Sequence, residues 1–488
     1  MRDNRDVKIL FCRATLPPYH YAYYLEKALR ENYTVATYGP PLWDELVRCW
    51  NIEDIRDRAA EPTIPYFTDN IADVLNSLSF TPDILLFSDA HVVYPLNGIN
   101  RLPFPTACYL GDTFKFPELY RETARRFDFT FISQQQYIPE FREAGIDNIV
   151  WLPVACDPDV HIGRNTEKLY DISFIGALTG GTRGELVEKL RSKFNLHYER
   201  CFVERMTEVY SQSKIVFNYG NANGINMKVF EAMASGSMLL TNYIPEVLDL
   251  FEDRKHLVFY RNETELFELV DYYLKAEEER EEIAAAGRKE VIGKHTYRHR
   301  VDFIVQTIRN AAAPERMIER DKQNGAATKD AESDIARFRD RILNGGGSAD
   351  DHMSLGKALQ SKGQPDEACA CYKRAVEIDP NMVEGYNRLG NILKDKGHLD
   401  QAMPYYLKAI EIDPGYAESY YNLGILLEAK NDMDNAHLCY VQTIQMNQAH
   451  GNAYFRMGNI LYGRGQLETA QSMFLKAMRL NPDLCICV

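Results

Sequence analysis

Residues 390–423 read GNILKDKGHLDQAMPYYLKAIEIDPGYAESYYNL, and the pattern of small and large residues in this stretch recurs along the C-terminal part of the chain. Glycines recur at intervals of 34 residues, at Gly356, Gly390, Gly424 and Gly458. The same interval separates the alanines Ala368, Ala402, Ala436 and Ala470, and the aromatic residues Tyr372, Tyr406, Tyr440 and Phe474. Small residues where two helices touch, with a large residue beside them, are typical of a helix–turn–helix solenoid. The spacing therefore predicts four stacked helix pairs over about 349–484.

Proline ends three of these units, at Pro380, Pro414 and Pro482, because proline cannot continue a helix; the third unit has Gln448 there. With these features the units resemble the tetratricopeptide (TPR) repeat. The resemblance implies a curved array whose concave groove binds a protein or peptide partner. The residues expected to face the groove are Asn387, Asn391, Lys394, Tyr421, Glu428, Phe455, Asn459 and Tyr462.

The last unit ends near Leu484 with no polar capping helix after it. An exposed apolar end of a repeat array predicts self-association, and hence a homo-oligomer, or a missing capping element.

Composition limits the class of protein. With 488 residues, of which 45% are hydrophobic and 26% charged, the chain is expected to form about three soluble domains. The formal charge of −14 argues against non-specific binding to nucleic acid or to anionic membranes. The apolar run Val7–Cys12 is too short for a signal peptide or a membrane span. The ten cysteines are scattered, which predicts a reduced, cytoplasmic-type protein.

Residues 1–310 alternate short apolar runs with helical patterns, which predicts parallel strands and crossover helices. Two such series predict an α/β protein of two doubly wound lobes, over 1–155 and 156–310, facing a cleft. A nucleotide would bind beyond the carboxyl ends of the strands. The Ala-rich, charged segment 311–348 is interpreted as a linker, with a helix near 331–343 and a flexible glycine-rich end, between the lobes and the array at 349–484.

A glycine-rich turn in the second lobe is the first candidate for phosphate binding. A predicted strand runs through Gly176 into a helix that begins near Arg183. Glycines let the backbone approach a phosphate, and the helix start and Arg183 add positive charge. The alternative is an ordinary glycine-rich strand-to-helix turn.

A second glycine-containing loop, at 221–226, leads into a short helix. Gly224 and Asn226 precede this helix, and Lys228 and Glu231 lie one turn apart on it. Lys228 is predicted to bind a diphosphate and Glu231 to accept hydrogen bonds from ribose hydroxyls. The alternative is a surface ion pair.

The segment Phe230–Gly236, followed by Leu239–Asn242, resembles the nucleotide-sugar-binding segment of GT-B glycosyltransferases. More closely it resembles the CgeB-like (spore maturation protein) family, which residues 151–158, 174–176 and 295–300 also fit. The resemblance implies twin Rossmann-like lobes, a last helix that crosses back onto the first lobe, and a UDP- or GDP-linked donor. It also implies transfer without a metal ion or other cofactor. Carried over, Lys228 stands where the family commonly has an arginine, and Glu231 takes the ribose-binding role.

One position departs from the pattern of many retaining GT-B enzymes, which carry two glutamates eight positions apart. Here the upstream position is Asn223. The sugar-contacting group and the choice between retention and inversion are therefore left open.

An inverting transferase needs a general base, expected from the first lobe across the cleft from the donor. Asp112 is the first choice, Asp89 and His91 the second, and His20 the third, because each follows a predicted strand. Each has the alternative role of a turn or helix-capping residue. The cluster from His295 to Arg300 is interpreted as a structural contact between the lobes.

The leading hypothesis is a glycosyltransferase whose acceptor, a protein or peptide, is recruited by the array. The alternatives are a non-catalytic TPR scaffold with a degenerate transferase-like part, which Asn223 would reflect, and more weakly a nucleotide-sugar epimerase.

Overall fold

A computed structural model describes residues 6–13, 20–40, 60–66, 68, 70–88, 94–111, 117–163, 166–178, 181–220, 224–311, 334–343, 347–481 and 486–487. No helix among them is long and apolar enough to cross a membrane.

The first lobe is built on a seven-stranded parallel sheet with the order β3-β2-β1-β4-β6-β7-β8. The strands are β1 (Lys8–Cys12), β2 (Thr34–Gly39), β3 (Ile64–Pro65), β4 (Ile84–Ser88), β6 (Thr106–Leu110), β7 (Phe129–Ile132) and β8 (Ile149–Trp151), with β5 (Tyr94–Pro95) outside the sheet. The helices are α1 (Tyr21–Asn32), α2 (Ile71–Ser77), α3 (Pro117–Ala124) and α4 (Ile138–Glu143). All residues of β4 and β6 are buried, as expected of parallel strands covered on both faces.

The second lobe has a five-stranded parallel sheet with the order β10-β9-β11-β12-β13. Its strands are β9 (Tyr170–Ile175), β10 (Leu196–Glu199), β11 (Ser213–Asn218), β12 (Met238–Asn242) and β13 (Val258–Tyr260). Its helices are α5 (Pro158–His161), α6 (Thr182–Lys193), α7 (Val203–Ser211), α8 (Met227–Ala234), α9 (Glu263–Lys275) and α10 (Glu277–Lys294). The twin doubly wound α/β architecture expected from the sequence is therefore present.

The helix α11 (Tyr297–Asn310) returns to the first lobe and packs against α1. Tyr297 stacks on Tyr24 of α1 with ring centroids 5.6 Å apart. Arg298 adds an ion pair with Glu31 at the end of the same helix, with Nε to Oε2 at 2.6 Å. The two lobes are thus held together by both apolar and charged contacts.

The C-terminal part is an all-helical array of four helix pairs, which matches the prediction. The pairs are Ala349–Ser361 with Pro365–Ile378, Val383–Asp395 with Leu399–Ile412, Ala417–Ala429 with Met433–Met446, and Gly451–Gly463 with Leu467–Leu480. A further helix covers 334–343, inside the predicted linker. The rest of the predicted linker, including most of its glycine-rich end, lies largely outside the described residues.

The fourth helix pair docks on the first lobe. Its second helix packs against α3, and a short strand, β14 (Ile486–Cys487), pairs antiparallel with β5. Phe455 and Met478 belong to the same hydrophobic core as residues of the first-lobe sheet. The apolar end of the array is therefore covered by its own chain, so that self-association is not needed to cover it and stays a prediction.

Several residues expected to face a peptide are instead engaged within the array. The Asn387 side-chain oxygen accepts hydrogen bonds from Ser419 and Asn422, and the Asn391 oxygen accepts one from the Tyr406 hydroxyl at 2.7 Å. Phe455 is fully buried. These residues hold neighbouring helices together. The repeat pattern alone does not show whether a residue packs between helices or faces the groove.

Candidate functional site

Two loops of the second lobe meet at the carboxyl edge of its sheet. Gly176 follows β9, and the loop before α8 follows β11. Because β9 and β11 are neighbours, the two loops lie side by side where the strand order reverses. Such switch points are where doubly wound sheets bind nucleotides.

The Lys228 ammonium group lies directly against Gly176. A Cβ atom at Gly176, whose φ is 148°, would lie 2.4 Å from Lys228 Nζ, so that any side chain there would displace the ammonium group. Nζ also lies 5.5 Å from the centroid of the Phe174 ring. Burial and, to a lesser extent, the positive charge of Arg183 together lower the pKa of Lys228 to about 8. Lys228 and Arg183 thus supply positive charge at the same loop.

The start of α8 has no side-chain cap. Asn226 precedes the helix but makes no capping hydrogen bond, and its Oδ1 has no partner within the described parts of the chain. The first N–H groups of a helix need partners, and an anion can supply them. The uncapped helix start therefore adds to the positive charge of Lys228 in the same first turn.

Glu231 lies one turn after Lys228 and is 6% exposed. Burial raises the pKa of Glu231 to about 7, and the positive charge of Lys228 opposes this. A buried carboxylate is costly unless a partner donates hydrogen bonds to it. This arrangement suits a group that accepts hydrogen bonds from ligand hydroxyls.

His161 is a neighbour of Glu231 that sequence reasoning missed. Its Nε2 lies 3.6 Å from Glu231 Oε1, and its Nδ1 accepts a hydrogen bond from the Asp157 N–H at 2.9 Å. Burial lowers the pKa of His161 to about 3, so the ring is neutral and its proton is assigned to Nε2, facing the carboxylate. The sequence offers no signal for this contact beyond a histidine four residues after a helix cap.

A cavity of about 310 Å³ opens between the two lobes. Gln135 and Gln136 line it from the first lobe. Gly224 and residues 242–246 line it from the second lobe, beside the loop that precedes α8. Glu246, which the sequence analysis did not single out, is the carboxylate among the described lining residues.

Of the four candidate bases, only His20 lies within the described residues. His20 is buried, and its Nδ1 accepts a hydrogen bond from the Ala22 N–H at 3.2 Å, so that it caps α1. Asp89, His91 and Asp112 lie outside the described residues. The catalytic assignments remain predictions.

The cluster from His295 to Arg300 makes contacts within the protein. Arg300 is buried, and its Nε donates to the Pro153 carbonyl at 2.7 Å. Its guanidinium also lies 3.2 Å from His295 Nδ1. These contacts tie α11 to the segment that joins the lobes.

Comparisons with known proteins match two regions of the chain. Residues 177–306 match a family model described as glycosyl transferase-like. Residues 356–397 and 390–431 match a TPR repeat model, and 417–450 and 451–484 match a tetratricopeptide repeat model. The chain therefore carries a glycosyl transferase-like domain followed by TPR repeats. The CgeB-like subfamily stays a prediction.

Similar solved structures include MamA, with 24% identity and a TM-score of 0.29, covering 32% of this chain and 91% of that one. MamA from Desulfovibrio magneticus RS-1 has 16% identity and a TM-score of 0.29, covering 35% of this chain and 98% of that one. YrrB, described as a TPR protein with an unusual peptide-binding site, has 19% identity and a TM-score of 0.27, covering 37% of this chain and 93% of that one. A comparison with curated proteins found no match.

Proposed function

We propose that residues 1–310 transfer a sugar from a nucleotide-sugar donor to an acceptor that the TPR array recruits. The observation that carries the proposal is the Lys228 ammonium group against Gly176, beside the uncapped start of α8. These groups offer positive charge and the N–H donors of a helix start where a donor diphosphate would lie.

In the proposed reaction, the bond between the sugar C1 and the diphosphate oxygen breaks, and a bond from C1 to an acceptor oxygen forms. Lys228 and the α8 N–H groups stabilise the negative charge that develops on the leaving diphosphate. Glu231 accepts hydrogen bonds from the ribose. The acceptor proton passes to a base of the first lobe, for which Asp112 remains our first choice.

A protein or peptide acceptor is supported by where the array docks. Among the described residues, three segments of the first lobe that contact it are Tyr66, β5 and α3, which follow β3, β4 and β6 respectively. All three therefore come after the carboxyl ends of strands, the edge at which doubly wound sheets place their ligands. An acceptor held by the array would be delivered to this edge.

The test is the thermal stability of the full chain with UDP, GDP, ADP, TDP and CMP. A ligand at 100 times its dissociation constant stabilises a fold by about 2.7 kcal/mol. We expect one nucleotide to raise the melting temperature of the wild type, and the shift to disappear in Lys228→Ala and Glu231→Ala. Lys189→Ala, which removes an exposed lysine paired with Glu263, is the matched control and should keep the shift.

A chain that folds but responds to no nucleotide would contradict the proposal. It would favour the scaffold alternative, in which the array binds partners and the lobes bind no nucleotide.

A further inference from the structure

The carboxylate of Glu246 stands in the cleft between the lobes, opposite the loop that leads into α8. Glu246 lies on the short 3-10 helix Pro245–Asp249, which follows β12 closely. It is 8% exposed and lines the cavity of about 310 Å³. Ligand pockets begin at about 300 Å³, so the cavity has room for a small ligand.

The two carboxylate oxygens have different environments. Oε1 accepts a hydrogen bond from the Gln136 N–H of the first lobe at 2.9 Å. Oε2 is buried and has no hydrogen-bond partner among the residues the structure describes. The Ile225 N–H also acts on this carboxylate and lowers its pKa, but it makes no hydrogen bond of good geometry with Oε2.

Burial is the larger effect and raises the pKa of Glu246. Leaving a buried acceptor without a donor is unfavourable, and more so for a charged group. A ligand hydroxyl that donates to Oε2 would remove this cost.

Oε2 lies against Gly224, in the loop that leads into α8. A Cβ atom at Gly224, whose φ is 98°, would lie 2.7 Å from Oε2, so that glycine is required there for the carboxylate to keep its place. The Glu246 carboxylate therefore reaches the loop that leads into α8.

We propose that Glu246 contacts the transferred sugar, with Oε2 accepting a hydrogen bond from a sugar hydroxyl while Oε1 keeps its bond to Gln136. The ligand class is a neutral, hydroxylated monosaccharide carried on a nucleoside diphosphate. This inference rests on the proposed function and extends it to the sugar.

The variant Glu246→Gln tests the proposal because glutamine has the same size but one acceptor oxygen instead of two. That oxygen can keep the hydrogen bond to the Gln136 N–H, whereas the amide NH₂ group cannot accept one from a sugar. A purely structural role in joining the lobes would therefore survive the substitution. Asp249→Asn, an exposed carboxylate on the same 3-10 helix, is the matched control.

The experiment measures the affinity of full-length wild type and variants for UDP and GDP, and for UDP-glucose, UDP-N-acetylglucosamine, UDP-galactose and GDP-mannose. We expect Glu246→Gln to bind the nucleoside diphosphate within about twofold of the wild type and to bind its sugar conjugate at least about tenfold more weakly, for a lost hydrogen bond to a charged group. Asp249→Asn should match the wild type for both ligands.

The outcomes separate the two proposals. Undiminished binding of the sugar conjugate by Glu246→Gln overturns this inference alone. An equal loss for diphosphate and conjugate also overturns it, because the effect would then not depend on the sugar. A wild type that binds neither kind of ligand overturns the proposed function and this inference with it. If Glu246→Gln fails to fold, deoxy-sugar donors on the wild type replace it: one deoxygenated position should weaken binding about tenfold, and equal binding of all of them overturns the inference.

Discussion

Lys228 and Glu231 have pKa values displaced in opposite directions by the same cause. Burial disfavours the charged form of each, lowering the pKa of the lysine to about 8 and raising that of the glutamate to about 7. Each opposes the shift of the other through its charge, but burial dominates. Groups displaced in this way cluster at functional sites.

The pKa of Lys228 predicts a pH dependence of diphosphate binding. As the pH rises through about 8, Lys228 loses its proton and its attraction for the diphosphate. Affinity should fall by up to about tenfold per pH unit above that value. Titration calorimetry between about pH 7.5 and 9.5 checks this. Lys228→Arg, which keeps its charge throughout, should show a flat profile, and a sloping profile in that variant would assign the effect to another group.

Glu231 predicts a pH dependence of stability. Its pKa is about 7 in the folded protein against 4.5 for the unperturbed group, so the folded state holds this proton more tightly. The resulting stabilisation is present below pH 4.5 and is lost as the pH rises to about 7. Glu231→Gln has no carboxyl group to titrate at this position. Its free energy of unfolding, relative to that of the wild type, should therefore increase by roughly 2–3 kcal/mol as the pH rises from about 5 to about 8.

Urea unfolding at the two pH values measures this gain. Glu278→Gln, which changes an exposed glutamate on α10, provides the comparison and should show no such gain. An equal response of both variants would remove Glu231 as the cause.

Within the array, the contact between paired helices explains the glycine pattern. A Cβ atom at Gly390 would lie 2.5 Å from Tyr406 Cε1, and Gly356, Gly424 and Gly458 meet their own aromatic partners in the same way. The tyrosine ring fills the space that the missing side chain leaves. The 34-residue period is therefore a packing rule, and its meaning was readable from the sequence.

Gly390→Ala should accordingly destabilise the array by about 1–3 kcal/mol, the usual cost of overpacking. Gly293→Ala is the control, since a Cβ atom there meets nothing within 4 Å in the helix α10. That substitution should be neutral or stabilising by up to about 1 kcal/mol because alanine favours helices. Helical unfolding in urea, followed by circular dichroism, compares the two, and equal stability of Gly390→Ala and wild type would contradict the packing argument.

The strands show which elements a sequence signals clearly. Thr106–Leu110 and Phe129–Ile132 are recognisable from the sequence, because fully buried parallel strands are largely continuous apolar runs. The edge strands β3 and β10 show no such run. The sequence of β10, Leu-His-Tyr-Glu, is half polar, and the three residues after its buried leucine are only partly buried at the sheet edge.

The complete chain departs most from the sequence-based interpretation in the placement of the array. It was interpreted as tethered by a flexible linker, but its last helix pair shares a hydrophobic core with the first lobe. Arg456 lies at this joint: it pairs with Glu428 at 2.9 Å within the array and donates to the Tyr66 hydroxyl of the first lobe at 3.3 Å. The array and the first lobe thus form one packed unit.

Tyr66→Ala should loosen this joint without unfolding the array. A loss of about 2 kcal/mol would raise the undocked population about 30-fold. Amide hydrogen exchange in Leu467–Leu480 should quicken accordingly, since exchange reports local opening. Leu438→Ala removes an array residue that is 59% exposed and should leave exchange unchanged. Unaltered exchange in Tyr66→Ala would mean that other contacts carry the docking.

Local patterns in the sequence were sufficient for the array, for the two α/β lobes and for Lys228 and Glu231 as a candidate pair, because helix packing, strand burial and one-turn spacing are all short-range. The contacts of Glu246 with Gln136 and Gly224, of His161 with Glu231, and of the array with the first lobe join residues that are 22 to 390 positions apart. No local pattern encodes such pairs. They arise when strand order and crossover connections bring the ends of separate elements to one edge of a sheet. The cleft, the Glu246 carboxylate in it and the position of the array therefore follow from the packing of the complete fold.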